Sequence, residues 1–85
     1  MNKSSLECME RLLAIAESEG IAVRSEWLGG IRGGLVRIGK EAILFVDESL
    51  AVTEQLEQTR DSLSRLDWSE TPWSNEMREL LGSSR

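Results

Sequence analysis

The chain has 85 residues, of which 40% are hydrophobic and 29% charged, a composition typical of one soluble globular domain. A domain of this size buries only about 60 to 65% of the surface that its unfolded chain exposes, which disfavours a deep active site. Because the chain has no histidine and a single cysteine, Cys8, we expect no zinc site, no cysteine-histidine nucleophile pair, no internal disulfide and no cofactor. We interpret Cys8 as a small, inert hydrophobic residue.

The formal net charge of −5 is distributed unevenly along the chain. Residues 1–40 carry six basic and five acidic side chains, whereas residues 41–85 carry four and ten. The acidic second half disfavours nucleic-acid binding unless four cations gather on one face: Arg24, Arg32, Arg37 and Lys40. No apolar run approaches the roughly 18 residues that span a bilayer, and the N-terminus lacks the apolar core of a signal peptide. We therefore expect a cytoplasmic protein that does not contact membranes.

A first helix is predicted over residues 5–18. Ser4 and Glu7 form the S-x-x-E pattern of a capping box, and Gly20 supplies the residue that commonly closes a helix. Apolar residues follow at helical spacing: Leu6, Met9, Leu12, Leu13, Ile15 and Ala16.

Three strands are predicted next. The segment "IAVRSEWL" alternates, with Ile21, Val23 and Trp27 on one face, as a half-buried strand does. The segments "LVRI" and "AILFV" are separated by three residues that begin with Gly39, a spacing that favours a tight hairpin. The continuous apolar run over 42–46 indicates the strand with the least solvent contact. An antiparallel meander is the simplest arrangement of these strands.

Two further helices are predicted after the strands. Thr71 as a cap and Pro72 in the first turn predict a short third helix that ends near residue 81, with Trp73, Met77, Leu80 and Leu81 facing inward. A second helix of about four turns is predicted before this third helix. It packs on the sheet through a mainly apolar stripe at helical spacing: Val52, Leu56, Thr59, Leu63 and Leu66.

The predicted fold is therefore a single α+β domain over residues 1–85, with frayed ends at 1–4 and 82–85. Its elements follow the order helix, strand, strand, strand, helix, helix. A small three-stranded antiparallel sheet packs on two or three helices, with both long helices on one face.

The segment "GGIRGG" raises the question of a phosphate-binding loop. Such loops lead directly into a helix, but here the strand-forming segment "LVRIGKEAILFV" follows, and neither common phosphate-loop motif is matched. "GIRG" does resemble the G-x-x-G loop of KH domains, which joins two helices. We interpret the glycines as a wide connection between strands. The alternative is an anion site formed by Arg24, Arg32 and Arg37.

Two other groups of residues have structural interpretations. Asp47 and Glu48 are adjacent carboxylates at a strand end, and we expect them to cap the next helix. Of Trp27, Trp68 and Trp73, at least two are expected to fill the core, since the chain has one phenylalanine and no tyrosine.

Residues 20–66 resemble the N-terminal core of ImmA/IrrE-type zincin-like metallopeptidases, in which a sheet leads into a helix that carries the zinc motif H-E-x-x-H. The resemblance rests on the run "GIAVRSEWLGGIRGGLVRIGKEAILFVDESLAVTEQLEQTRDSLSRL". It places Asp61, Ser62 and Arg65 where that motif has histidine, glutamate and histidine. The resemblance thus implies a peptidase-like scaffold without its metal, in which Asp61 and Arg65 form a surface ion pair.

These patterns favour a non-catalytic protein-interaction module over an enzyme. The apolar residues of the first and third helices exceed what three thin elements readily cover, which predicts a homodimer that uses the third helix or an edge strand. The alternative function is a small anion-binding or nucleic-acid-binding domain that uses the arginines near "GGIRGG".

Overall fold

A computed structural model describes residues 4–30 and 33–82 as an α+β fold with three helices and a three-stranded mixed sheet. The elements are α1 (Ser5–Ser18), β1 (Ala22–Glu26), β2 (Gly34–Ile38), β3 (Glu41–Asp47), α2 (Val52–Leu63) and α3 (Ser74–Leu80).

The sheet has the strand order β1-β3-β2, so β3 is the central strand. It runs parallel to β1, with Ala22 opposite Ile43, and antiparallel to β2, with Val36 opposite Ile43. The predicted antiparallel meander is therefore wrong. The central position belongs to the strand with the continuous apolar run, and the chain after β1 passes the carboxyl end of that strand, where the Leu28 and Gly30 amides bind Asp47.

Helix α1 has the predicted bounds because both of its ends carry local signals. The Ser4 hydroxyl accepts a hydrogen bond from the Glu7 N–H at 3.0 Å, and the Glu7 carboxylate accepts one from the Ser4 N–H at 3.2 Å. Leu6 departs from the prediction, with 55% of its surface exposed. It lies about 120° around the helix from the fully buried Leu12, so it faces solvent.

The second helix differs from its prediction at both ends and the third at its first residue. Val52 opens α2 and is 38% exposed, although Leu56 and Leu63 further along are buried as predicted. The helix ends at Leu63, so Leu66 lies after it rather than in its stripe. Helix α3 begins only at Ser74, because the Thr71 hydroxyl accepts the Trp73 N–H at 3.2 Å and forms a turn rather than a helix cap.

Both long helices lie on one face of the sheet, as predicted. Helix α1 packs against β1 and α2, and α2 packs against β2 and β3. The sheet contributes Val23, Leu35, Leu44 and Val46 to the core between the layers. None of the helices in residues 4–30 and 33–82 is long and apolar enough to cross a bilayer.

Helix α3 belongs to the core of the chain. Met77 and Leu80 are only 1% and 5% exposed, and Arg60 of α2 donates a hydrogen bond from Nε to the Leu80 carbonyl at 2.8 Å. On its other side, Arg11 of α1 forms an ion pair with Glu76, with Nη2 2.9 Å from Oε1. The apolar surface predicted to remain for a partner on this helix is therefore largely covered within the chain.

Two of the three tryptophans are buried or partly buried, and the third is exposed. Trp68 is 8% exposed and donates its indole N–H to the Leu63 carbonyl at 2.8 Å, and Trp73 is partly buried against the core. Trp27 is 74% exposed, so its predicted place on the half-buried strand face is wrong. Strand β1 ends one residue earlier, at Glu26, where the connection to β2 begins.

The predicted fraying at the chain ends falls mainly on residues 1–3 and 83–85, outside the described residues. Two residues of those predicted segments are held in place. Ser4 caps α1, and the Gly82 N–H donates to the Glu79 carbonyl at 3.2 Å.

Candidate functional site

The face of the sheet opposite the helices carries four large apolar side chains. We call this group the open face: Val36, Ile38, Ile43 and Phe45. Val36 and Ile38 are 42% and 61% exposed, and Ile43 and Phe45 are partly buried. No described helix packs on this side of the sheet.

Charged side chains border the open face on β1. The Arg24 guanidinium lies 6.0 Å from the centroid of the Phe45 ring, and its Nη2 is 2.7 Å from a Glu26 carboxylate oxygen. Arg24 and Glu26 therefore satisfy each other at this rim, and exposed Glu41 lies opposite Ile38 at the hairpin end, so the centre of the face is left to apolar atoms.

The polarity of β2 explains how this face arises. Leu35 and Arg37 point to the helix side, whereas Val36 and Ile38 point to the open face. The more polar side of an edge strand usually faces solvent, but here the only charged residue of the strand points the other way. The segment "LVRI" already places Val36 and Ile38 on the side away from Arg37. The sequence does not show which of these sides the helices cover, so it did not predict an exposed apolar face.

Asp47, at the end of β3, holds the glycine connection in place. Its Oδ1 accepts the Leu28 N–H at 2.9 Å, and its Oδ2 accepts the Gly30 N–H at 2.7 Å. Oδ1 also accepts the N–H and the hydroxyl of Ser49 at 2.9 and 2.7 Å. Burial raises the pKa of Asp47, but the hydrogen bonds from Ser49, Leu28 and Gly30 outweigh it and bring the pKa to about 2.

Asp47 does not cap α2, contrary to our expectation. The helix begins at Val52, where the Glu54 carboxylate accepts the Ala51 N–H at 3.3 Å. The loop amides lie closer to Asp47 because the connection passes the end of β3. The sequence contains the aspartate and the glycines, but only the strand order brings them together.

The described glycines of "GGIRGG" have structural roles, as predicted. Gly29 and Gly30 have φ angles of 68° and 80°, which favour glycine, and the Gly30 amide is already bound by Asp47. A Cβ on Gly33 would lie 3.0 Å from the Phe45 carbonyl oxygen, so this position needs glycine for its close approach to β3. Ile31 lies outside the described residues.

The arginines proposed as an anion site do not come together. Arg24 lies opposite Phe45 on the open-face side of β1, and Arg37 lies opposite Ala42 on the helix side of β2. They thus occupy opposite faces and opposite edges of the sheet, while Arg32 lies outside the described residues. Instead, Arg37 lines a cleft with Lys40 at the hairpin end of the sheet.

The positions that the peptidase resemblance assigns to the zinc motif lie on α2 and just after it. Asp61 and Arg65 form the predicted ion pair, 2.9 Å apart and largely exposed, and Ser62 is buried against Gly34. Within residues 4–30 and 33–82, no group of three or more histidine, cysteine, aspartate or glutamate side chains could hold a metal ion.

We expect protein purified without a chelator to contain far less than one zinc ion per chain. Zinc hydrolysis needs imidazole ligands on one helical face, and the chain supplies an aspartate and an arginine there. Elemental analysis before and after incubation with zinc and dialysis measures this directly. One tightly held zinc per chain would contradict the prediction.

Comparison of the chain with known protein families, with characterised proteins and with solved structures finds no match.

Proposed function

We propose that the chain is a non-catalytic interaction module that forms a homodimer through the open face. The observation that carries this proposal is the pattern of β3, which is apolar on both sides. Leu44 and Val46 face the helices, and Ile43 and Phe45 face away from them. A continuous apolar run is typical of a strand covered on both faces, and the helices cover one.

Strand β2 supports the same proposal. Val36 and Ile38 add two exposed β-branched side chains next to Ile43 and Phe45. Single exposed apolar residues are common, but a contiguous group on one sheet face is typical of an interaction surface.

The charge distribution favours a second copy of the chain as the partner. The acidic side chains of α2 and α3 belong to the helix layer, including Glu54, Glu57, Asp61 and Glu79. Two chains that meet by their open faces keep these acidic layers on the outside, which limits repulsion between two molecules of net charge −5. When the same surface patch of two copies packs together, the result is a dimer with two-fold symmetry.

The small area of the open face indicates a low affinity for the proposed dimer. Three strands of about five residues cover roughly 17 by 14 Å. That area is well below the roughly 800 Å² that each partner contributes to a standard stable interface. We therefore expect a weak dimer, with a Kd on the order of 10 to 100 µM.

Sedimentation velocity tests the proposal across about 5 to 500 µM, a range that brackets this Kd. The wild-type chain should shift from monomer to dimer, and Val36→Lys, opposite Ile43, should remain monomeric because a charge cannot be buried cheaply at the apolar centre of the two faces. Leu6→Lys is the matched control, since Leu6 is 55% exposed on α1 and Val36 42% exposed on β2.

Two results would contradict the proposal. One is a wild-type chain that stays monomeric at the highest concentration. The other is a Val36→Lys chain that dimerises as strongly as Leu6→Lys, which would place the interface elsewhere. The metal-free peptidase-like scaffold is a separate prediction, and the zinc measurement above tests it.

A further inference from the structure

A cleft of about 400 Å³ lies at the end of the sheet opposite Asp47. Three connections meet there: the turn between α1 and β1, the hairpin turn between β2 and β3, and the segment between α2 and α3. Its charged and apolar lining includes Glu19, Arg37, Lys40, Leu66, Asp67 and Trp68.

The sheet side of the cleft carries two cations. Arg37 lies on the helix side of β2, and Lys40 follows in the hairpin turn. Neither forms an ion pair within 4 Å with any residue of the described segments. A guanidinium and an ammonium that line one cleft suit a carboxylate, which accepts two hydrogen bonds from arginine.

Two carboxylates also line the cleft, Glu19 between α1 and the other edge strand β1 and Asp67 after α2, and each has one oxygen bound within the chain. Glu19 accepts the Trp73 indole N–H on Oε2 at 2.8 Å. Asp67 accepts the N–H and hydroxyl of Ser69 on Oδ1 at 3.0 and 2.7 Å, which lowers its pKa. In the described parts of the chain, no hydrogen bond reaches Oε1 of Glu19 or Oδ2 of Asp67.

The cleft also has apolar lining. Leu66 is partly buried beside the core, and Trp68, with its indole N–H bound to the Leu63 carbonyl, is 8% exposed and adds a small area of carbon surface. Ile21 and Ala42 complete this apolar lining.

We propose that the cleft binds a small zwitterion with the chemistry of an apolar α-amino acid. Its carboxylate lies against Arg37 and Lys40, and its ammonium group lies against the free oxygens of Glu19 and Asp67. The apolar side chain packs on Leu66 and Trp68. The cleft falls within the roughly 300 to 1,000 Å³ typical of small-molecule sites.

Because the cleft is lined by both cations and carboxylates, it favours a zwitterion over a simple anion. A phosphate dianion near Arg37 and Lys40 would also face two carboxylates, and repulsion from them would offset its attraction to the cations. A ligand with both charges finds groups of opposite charge for each of them in the same cleft. The site is independent of the proposed dimer, because Arg37 points to the helix side of the sheet and the open face lies on the other.

Titration of the isotope-labelled full chain, followed by the indole N–H resonances of Trp68 and Trp73, tests the proposal. L-leucine should shift these resonances saturably. L-leucinamide lacks the carboxylate and N-acetyl-L-leucine lacks the ammonium group, so each should bind at least about tenfold more weakly. Inorganic phosphate should leave the resonances in place at the concentration that saturates with leucine.

Arg37→Ala and Lys40→Ala should each weaken leucine binding by about tenfold, since each removes one charge-assisted contact. Arg65→Ala is the matched control, because Arg65 is exposed and lies outside the cleft. The proposal is overturned if leucine gives no saturable shift, if Arg37→Ala and Arg65→Ala bind leucine equally, or if phosphate binds as tightly as leucine.

Discussion

Truncation of the chain after Trp68 should abolish its cooperative thermal unfolding. Truncation removes Met77 and Leu80, which are 1% and 5% exposed and fill the core beside α1. It also removes the Leu80 carbonyl that accepts from Arg60 and the carboxylate of Glu76 that pairs with Arg11. A cavity from one buried Met or Leu changed to Ala costs about 2 to 5 kcal/mol, and a domain of this length has only about 4 to 13 kcal/mol in total.

Circular dichroism in the near and far ultraviolet, recorded during heating, measures this loss. Met77→Ala/Leu80→Ala should reproduce most of it in a chain of unchanged length. Asn75→Ala, exposed on the same helix, should melt like the wild type. A truncated chain with the wild-type melting temperature and the same oligomeric state would show that α3 contributes neither to the core nor to an interface.

Replacement of Asp47 by asparagine should lower the melting temperature by roughly 10 °C, the scale expected when a buried hydrogen-bond network is broken in a domain of this size. The two carboxylate oxygens serve different loop amides, with Leu28 on Oδ1 and Gly30 on Oδ2. Asparagine has one acceptor oxygen, so in either orientation its NH₂ group faces a backbone N–H. At least one loop amide loses its partner in a site that is 1% exposed.

Asp61→Asn is the matched control for this substitution. It also converts an aspartate into an amide, but the Asp61 side chain is 68% exposed and paired only with Arg65 among the described residues. Its melting temperature should lie within about 3 °C of the wild type, as expected for an exposed ion pair. Equal melting temperatures for Asp47→Asn and Asp61→Asn would contradict the anchoring role.

The pH dependence provides a second readout for Asp47. Its pKa falls from 3.8 to about 2 in the folded chain. Since the folded value is the lower one, the ionised group stabilises the fold above about pH 4, and that contribution is lost as the pH falls towards 2. The difference in urea midpoint between wild type and Asp47→Asn should therefore be full at pH 7 and shrink between pH 4 and 2. A difference that is unchanged at pH 2 would rule out the carboxylate as its source.

Local signals in the chain predicted several elements correctly. The capping box of Ser4 and Glu7 gave the start of α1, because both of its hydrogen bonds lie within four consecutive residues. Gly39 has a φ angle of 63° in the two-residue turn between β2 and β3, which the short spacing of two apolar runs predicted. The helical stripe placed Leu56 and Leu63 in the core, since a period of 3.6 residues brings them to one face.

Strand order was decided by the tertiary structure, and the candidate sites depend on it. The apolar run of β3 indicated a well-covered strand, but a local pattern cannot state which strands pair with it or in which direction. Once β3 lies between β1 and β2, the connection after Trp27 passes Asp47, and Val36 and Ile38 point away from the helices. The cleft lined by Arg37, Glu19 and Asp67 likewise joins segments far apart in the chain. Such contacts depend on how the layers pack, because residues distant in sequence become neighbours only when the whole chain has folded.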